Sequence, residues 1–177
     1  MGELFYHNIP PVYDCRSRVL ILGSFPSVRS RGEGFFYAHP RNRFWSVMAR
    51  LFNSEPPVTT QLKRQLLLRN RVALWDVAAS CRVRGSGDVS ITDVVPNDIT
   101  PLMERCGIST VFANGRAAHS LYRRYIYPRS GFDAVYLPST SPANASFSLE
   151  ELVRAWAPVA AAALDGGLPG TRSPAPQ

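Results

Sequence analysis

Lysine is almost missing from this 177-residue chain: of 20 Lys and Arg residues, 19 are arginine, and Lys63 stands alone. Schiff-base chemistry needs a desolvated lysine. Lys63 falls on the polar face of a helical pattern, so that chemistry is excluded. Cysteine is also sparse. Cys15, Cys81 and Cys106 are far apart and form no CxxC, which argues against a disulfide framework, a zinc site or a four-cysteine cluster and fits a reducing cytoplasm. No apolar run approaches the ~20 residues of a membrane span. The opening residues, MGELFYHNIP, have neither a basic nor an apolar leader segment, so no secretory signal is visible and a cytoplasmic location is expected. Internal repeats are absent.

Acidic residues are outnumbered. Thirteen Asp and Glu against the 20 cations give a net charge of +7. Arginine grips phosphate oxygens in a bidentate fork and stacks on rings, so a nucleic-acid partner is one reading. A GC-rich genome that favours arginine codons accounts for the composition equally well. Hydrophobic residues make up 45% of the chain, enough for one folded domain with a sizeable core.

Four short apolar runs end in turn-forming residues: 18–26, 72–77, 109–115 and 133–139. Each reads as a buried strand. Helical patterns lie between and after them, at 44–53, 59–70, 97–106, 115–126 and 148–164. Thr59, Asn97 or Asp98, and Ser148 supply caps, and Pro158 is a kink point in the last helix. Strands alternating with helices predict an α/β fold: a three-layer α/β/α sandwich around a central four-stranded parallel sheet. Ligands of such sheets collect at the carboxyl ends of the strands, here GSFPS, WDVAAS, ANGR and LPSTSPAN. The expected domain covers 1–165. The Gly/Pro/Ser-rich tail, 166–177, is expected to be disordered, and 81–90 to be a loop.

The stretch GFFYAHPRNRFW (34–45) sets five aromatics beside two arginines, a histidine and an asparagine. A core strand would not carry the arginines, and a solvated loop would not carry the rings. With GSFPSVRSR before it and LPSTSPANASFSLEELVRAW (137–156) later, it resembles the two motifs of the uracil-DNA glycosylase superfamily. LWDV (74–77) and FANGRAA (112–118) bring the resemblance nearest to the hypoxanthine-DNA glycosylase branch and the mismatch-specific uracil branch. It spans about residues 18–157, and implies the fold of that superfamily and a DNA partner. The implied activity is monofunctional: the enzyme flips a deaminated base, hypoxanthine first of all, out of DNA and hydrolyses its N-glycosidic bond. Uracil or an ethenocytosine-type mismatch base is the alternative within the superfamily. A nucleic-acid-binding module of weak activity on the same fold is the alternative outside it. No cofactor or metal is implied, and a monomer is expected.

Better-known branches carry an asparagine in the first-strand turn to hold water. Phe25 stands there, and a phenyl ring cannot orient water. The resemblance to the hypoxanthine branch transfers that role to Asn42, whose amide can accept from water and donate to a base or a phosphate. The same residue is also a natural cap for the helix starting near Phe44. Tyr37 matches the base-stacking aromatic, or is a core ring. Backbone N–H groups at Ser24 and Phe25 can read a base carbonyl. Asp76 or its neighbour Trp75 ends the second strand at the base-reading position, although Asp76 could equally cap a turn or pair with arginine. Asn114 reads the base edge or caps the helix after it, with capping preferred. For the DNA backbone the candidates are His39, Arg41, Arg43, Ser139, Thr140 and Ser141. His39 is alternatively a turn-stabilising partner, and one of the two arginines is expected to face a structural carboxylate. Pro142, Ala143 and Asn144 are the candidate wedge. Leu137 replaces a polar residue at the head of the second motif, which argues against a conventional uracil enzyme.

Overall fold

A computed structural model describes residues 2–83 and 91–164. The expected tail and most of the 81–90 loop lie outside these residues. Seven strands and seven helices are described. They are β1 (Glu3–Tyr6), β2 (Val19–Gly23), α1 (Val28–Glu33), α2 (Phe44–Leu51), α3 (Thr60–Arg69), β3 (Val72–Asp76), β4 (Ala78–Val83), β5 (Ile91–Pro96), α4 (Thr100–Cys106), β6 (Thr110–Asn114), α5 (Gly115–Tyr125), α6 (Tyr127–Ser130), β7 (Ala134–Leu137) and α7 (Leu149–Leu164). Among them no helix is long and apolar enough to cross a membrane.

The central sheet is parallel and four-stranded, in the order β3-β2-β6-β7. All five residues of β2 are buried, as a strand covered on both faces requires. Alternation splits it cleanly. Val19 and Ile21 join Val72, Leu74 and Phe112 beneath α2 and α7, where Phe44, Met48, Leu152 and Trp156 fill the layer. Leu20 and Leu22 face the opposite layer, built from Leu102 and Met103 of α4 and Ala118 and Tyr122 of α5. This is the three-layer sandwich the sequence predicts. The helix caps form locally: Thr59 Oγ1 accepts from the amide of Leu62 at 3.2 Å, and Ser148 and Glu151 bond each other's backbone amides at 3.2 and 2.7 Å.

A second sheet was not legible in the sequence. It is antiparallel, in the order β1-β4-β5, so Cys81–Val83, expected in a loop, are strand. Its strands are short, half-exposed and broken by register shifts between β4 and β5, which leaves no apolar run to detect. The sheet has one consequence for function. It carries the chain's N-terminal segment across to the end of β3, where the amide of His7 donates to Ala79 O at 2.8 Å.

The ends of the parallel strands are level. Gly23 pairs with Asp76, and Asn114 with Leu137. Trp156 on α7 donates its indole N–H to Pro138 O at 3.0 Å, tying the loop after β7 to the core. The loops that follow β2 and β7, with the end of β6 between them, thus open on one edge of a rigid sheet.

Candidate active site

A cavity of about 450 Å³ opens at that edge. Gly23 to Ser27, Tyr37, His39 and Asn42 line it from the loops after β2. Asp76 and Asn114 line it from the ends of β3 and β6, and Ser139 to Ala143 from the loop after β7. Most of the residues singled out from the sequence therefore meet in one place, although they lie up to 120 positions apart.

Tyr37 adopts a left-handed backbone conformation with φ 52°, rare for a bulky residue and concentrated where a fold imposes it. One face of its ring is stacked on Phe44, centroids 4.1 Å apart and planes 21° apart. The residue lines the cavity, where a flat ligand can meet its ring.

Asn42 is held from three sides. Its backbone N–H donates to His39 O at 2.9 Å. Its Oδ1 accepts from the amide of Phe44, the first residue of α2, at 3.0 Å, and from the hydroxyl of Thr140 at 2.9 Å; the N-cap position itself is Arg43. Both lone pairs of the carbonyl oxygen are therefore in use. Because a backbone N–H can only donate, the bond from Phe44 also settles which end of the amide is oxygen. What Asn42 can offer a ligand is its Nδ2, a donor. This corrects the expectation that it accepts from water.

Thr140 is fully buried and joins three loops. Its hydroxyl accepts from Asn114 Nδ2 at 3.0 Å while donating to Asn42, and its amide donates to Asn114 Oδ1 at 3.1 Å. Asn114 occupies the N-cap position of α5, yet its side chain makes no cap hydrogen bond. The preferred capping role is thus corrected: the amide is spent on Thr140, while still facing the cavity. Thr140, expected at a phosphate, is instead turned inward as a link between two asparagines.

Arg43 is corrected as well. Its guanidinium donates to three backbone carbonyls, those of Ser141 at 2.9 Å, Asn144 at 2.6 Å and Phe147. Its backbone amide donates to Thr140 O at 3.1 Å. It clamps the loop after β7 onto the loop after β2, and does not reach outward. Its partners are carbonyls rather than the expected carboxylate, since a turn-rich loop has orphan acceptors to satisfy. Asn144 also turns inward, donating to Ser139 O at 3.0 Å. It drops out of the wedge, leaving Pro142 and Ala143 exposed at the rim. Ser139 and Ser141 accept from the amides of Ser141 and Ala143 at 3.1 and 3.2 Å, and both line the cavity. Arg41 is exposed and outside the cavity wall. His39 accepts from the Arg41 amide through Nδ1 at 3.1 Å, which leaves Nε2–H as a donor at the mouth.

Asp76 is buried at the cavity floor. Its Oδ2 lies 2.8 Å from Nε2 of His7, the two side chains being 5% and 4% exposed. The backbone of Asp76 accepts from Asn97 Nδ2 at 2.9 Å, so Asn97, proposed as a helix cap, braces the floor; Asp98 bonds the first-turn amide of Thr100 instead at 3.0 Å. Trp75 lies outside the cavity wall, because successive strand residues face opposite sides. Phe25 and Ser24 are buried and line the cavity, with Phe25 packed on Ala78 and Cys81. His7 was missed in the sequence. It stands in no motif, and only the pairing of β1 with β4 brings it here. Among the described residues no group of three or more His, Cys, Asp or Glu is arranged to hold a metal ion.

The sequence matches the model of the uracil DNA glycosylase superfamily over residues 10–160. It is 33% identical over 143 residues to a protein named hypoxanthine DNA glycosylase from Methanosarcina acetivorans, covering 80% of this chain and 89% of that one. A protein of the same name from Methanosarcina barkeri is 30% identical over 152 residues, covering 85% and 94%. The fold is similar to the solution NMR structure of a uracil DNA glycosylase candidate from M. acetivorans, with a TM-score of 0.73, 30% identity, and coverage of 89% of this chain and 99% of that one.

Proposed function

The chain belongs to the uracil DNA glycosylase superfamily and is a DNA glycosylase, and we propose that the base it removes is hypoxanthine, by a monofunctional hydrolysis in which Asn42 is the catalytic side chain. The observation that carries this reading is the amide of Asn42, oriented by Thr140 and Asn114 at the wall of a cavity with room for an everted nucleotide.

The chemistry follows from the groups present. A base inside a duplex is out of reach, so the nucleotide is everted into the cavity, where Tyr37 stacks on it. Stacking of this kind contributes about 1–3 kcal/mol per base. The bond from C1′ of the sugar to the base nitrogen then breaks, electron density passes to the base, and the sugar becomes oxocarbenium-like. Water adds to C1′, and its proton ends on the departing base. Asn42 acts through Nδ2–H, a fixed donor beside the density that builds up on the base, at no cost of reorganisation. With Oδ1 already bound, it does not take the water's proton. Ser139 and Ser141 contact the flanking phosphates, with His39 and Arg41 outside them, and Pro142–Ala143 fill the vacated space in the stack.

Two apolar positions favour hypoxanthine over uracil. Phe25 and Leu137 stand where the resemblance implies polar groups in a conventional uracil enzyme, and both are buried here. The test is incubation with duplexes bearing one inosine, uracil, xanthine or ethenocytosine, followed by alkaline cleavage of abasic sites. Scission is expected at inosine. Scission mainly at uracil would overturn the choice of base, and binding without scission would overturn the enzyme reading.

A further inference from the structure

The buried contact between His7 and Asp76 plays no part in the chemistry above. His7 Nδ1 accepts from the amide of Ile9 at 3.2 Å. That nitrogen is therefore without a proton, and Nε2 carries the ring's N–H. The ring sits among Phe25, Phe36 and Trp75, whose centroids are 6.0, 6.2 and 6.3 Å away. The Nε2–H points at Asp76 Oδ2 at 2.8 Å. The histidine is a fixed donor, and the carboxylate is its acceptor.

The other oxygen, Oδ1, lies over the backbone of Gly23. A Cβ on that glycine would fall 2.2 Å from it. Gly23 and Asp76 both line the cavity, so the floor presents a carboxylate oxygen, which accepts and cannot donate.

That polarity matters for the bases concerned. Adenine and cytosine show a lone pair at the ring nitrogen of their pairing edge. Deamination makes each a lactam or imide, and the same nitrogen then bears a proton. An acceptor-only floor attracts the deaminated form and repels the parent. We infer that His7 is a positioning residue: its Nε2–H holds the carboxylate of Asp76, at the position the resemblance gives to base reading, so that the floor offers only an acceptor, which takes the ring N–H of a 6-oxopurine and rejects adenine. The inference rests on the glycosylase reading, and gives the pocket its chemical selectivity.

His7 also makes the obvious substitution informative. In Asp76→Asn the Nε2–H still demands an acceptor, so the amide oxygen turns to His7 and the NH2 turns to the cavity. The floor changes from acceptor to donor with little change in shape.

The experiment uses the full chain and duplexes with one 2′-fluoroarabino nucleotide, whose glycosidic bond resists cleavage, so that binding is read apart from chemistry. The bases compared are hypoxanthine, which has the ring N–H, and unsubstituted purine, which has a lone pair there. Wild type is expected to prefer hypoxanthine by about 10–100-fold. Asp76→Asn should abolish or invert the preference. His7→Phe, which keeps a ring and removes the donor, should weaken it about tenfold, and His7→Gln, which retains an N–H, should restore part of it. A wild type that binds both duplexes equally defeats the inference without recourse to any variant. So does an Asp76→Asn protein with an unchanged preference. An unchanged preference in His7→Phe removes His7 from it. Excision of hypoxanthine from ordinary deoxyinosine duplexes is measured alongside. Excision without a binding preference sinks this inference alone, and preference without excision sinks the glycosylase reading alone.

Discussion

Thr140 donates its hydroxyl proton to Oδ1 of Asn42 at 2.9 Å, from a position with no solvent exposure. The bond crosses between loops 98 residues apart in the chain and decides which end of the Asn42 amide is available. Thr140→Val keeps the shape and removes both hydroxyl bonds. It should leave Asn114 Nδ2 unpaired, lower stability by about 1–3 kcal/mol, and slow single-turnover excision by about 10–100-fold through loss of orientation. A wild-type rate in a folded Thr140→Val protein would remove Thr140 from the site.

Asn42 has two separable jobs. Asn42→Ala removes the acceptor for Phe44 N–H and Thr140 as well as the donor, so it should cost about 1 kcal/mol of stability and abolish excision, with DNA binding nearly intact. Asn42→Asp retains an oxygen for Phe44 N–H and Thr140 and loses Nδ2. Thermal melts should show the lost stability restored, while excision stays lost. Recovery of the rate in Asn42→Asp would show the residue to be a structural acceptor only.

The two arginines flanking Asn42 should behave in opposite ways. Arg43→Ala strips donors from three loop carbonyls; melting should fall by several degrees, on the order of 2–4 kcal/mol, with the salt dependence of DNA binding unchanged. Arg41→Ala should leave melting alone and reduce the slope of log K against log salt by about 0.9, one phosphate contact. Reversal of that pattern would exchange their assignments.

Gly23→Ala is the smallest change expected to disable the pocket. The new methyl would stand 2.2 Å from Asp76 Oδ1 and 3.0 Å from the hydroxyl of Tyr37. Since Asp76 is buried and bonded to His7, it cannot swing into solvent. Excision should fall by about 100-fold and stability by about 1–3 kcal/mol from overpacking. An alanine variant of normal rate would mean that the carboxylate has room to move and no fixed duty.

The parallel sheet and the helices of the sandwich were legible because each is coded locally. VLILG is apolar throughout as a doubly covered strand must be, α3 and α7 open on Thr59 and Ser148, and the strand ends fall at glycine, aspartate and asparagine. The antiparallel sheet was not, because β1 and β5 are short, partly exposed segments stabilised by partners distant in sequence.

The cavity's residue types could likewise be listed from the sequence, while their duties could not. A linear reading places Asn42, Asn114, Thr140, Arg43 and Asp76 near one sheet edge, since the carboxyl ends of parallel strands converge there whatever the side chains do. It cannot say which hydrogen bonds each one spends inward. Those bonds are long-range: Thr140 joins Asn114 to Asn42, Arg43 holds the carbonyls of Ser141, Asn144 and Phe147, and His7 reaches Asp76 across 69 residues. Chemical capability is a property of the residue and is fixed by composition and motif. Whether an amide presents its donor or its acceptor, or a carboxylate faces solvent or a base, depends on which partners the packed chain brings within 3 Å, and only the tertiary structure decides that.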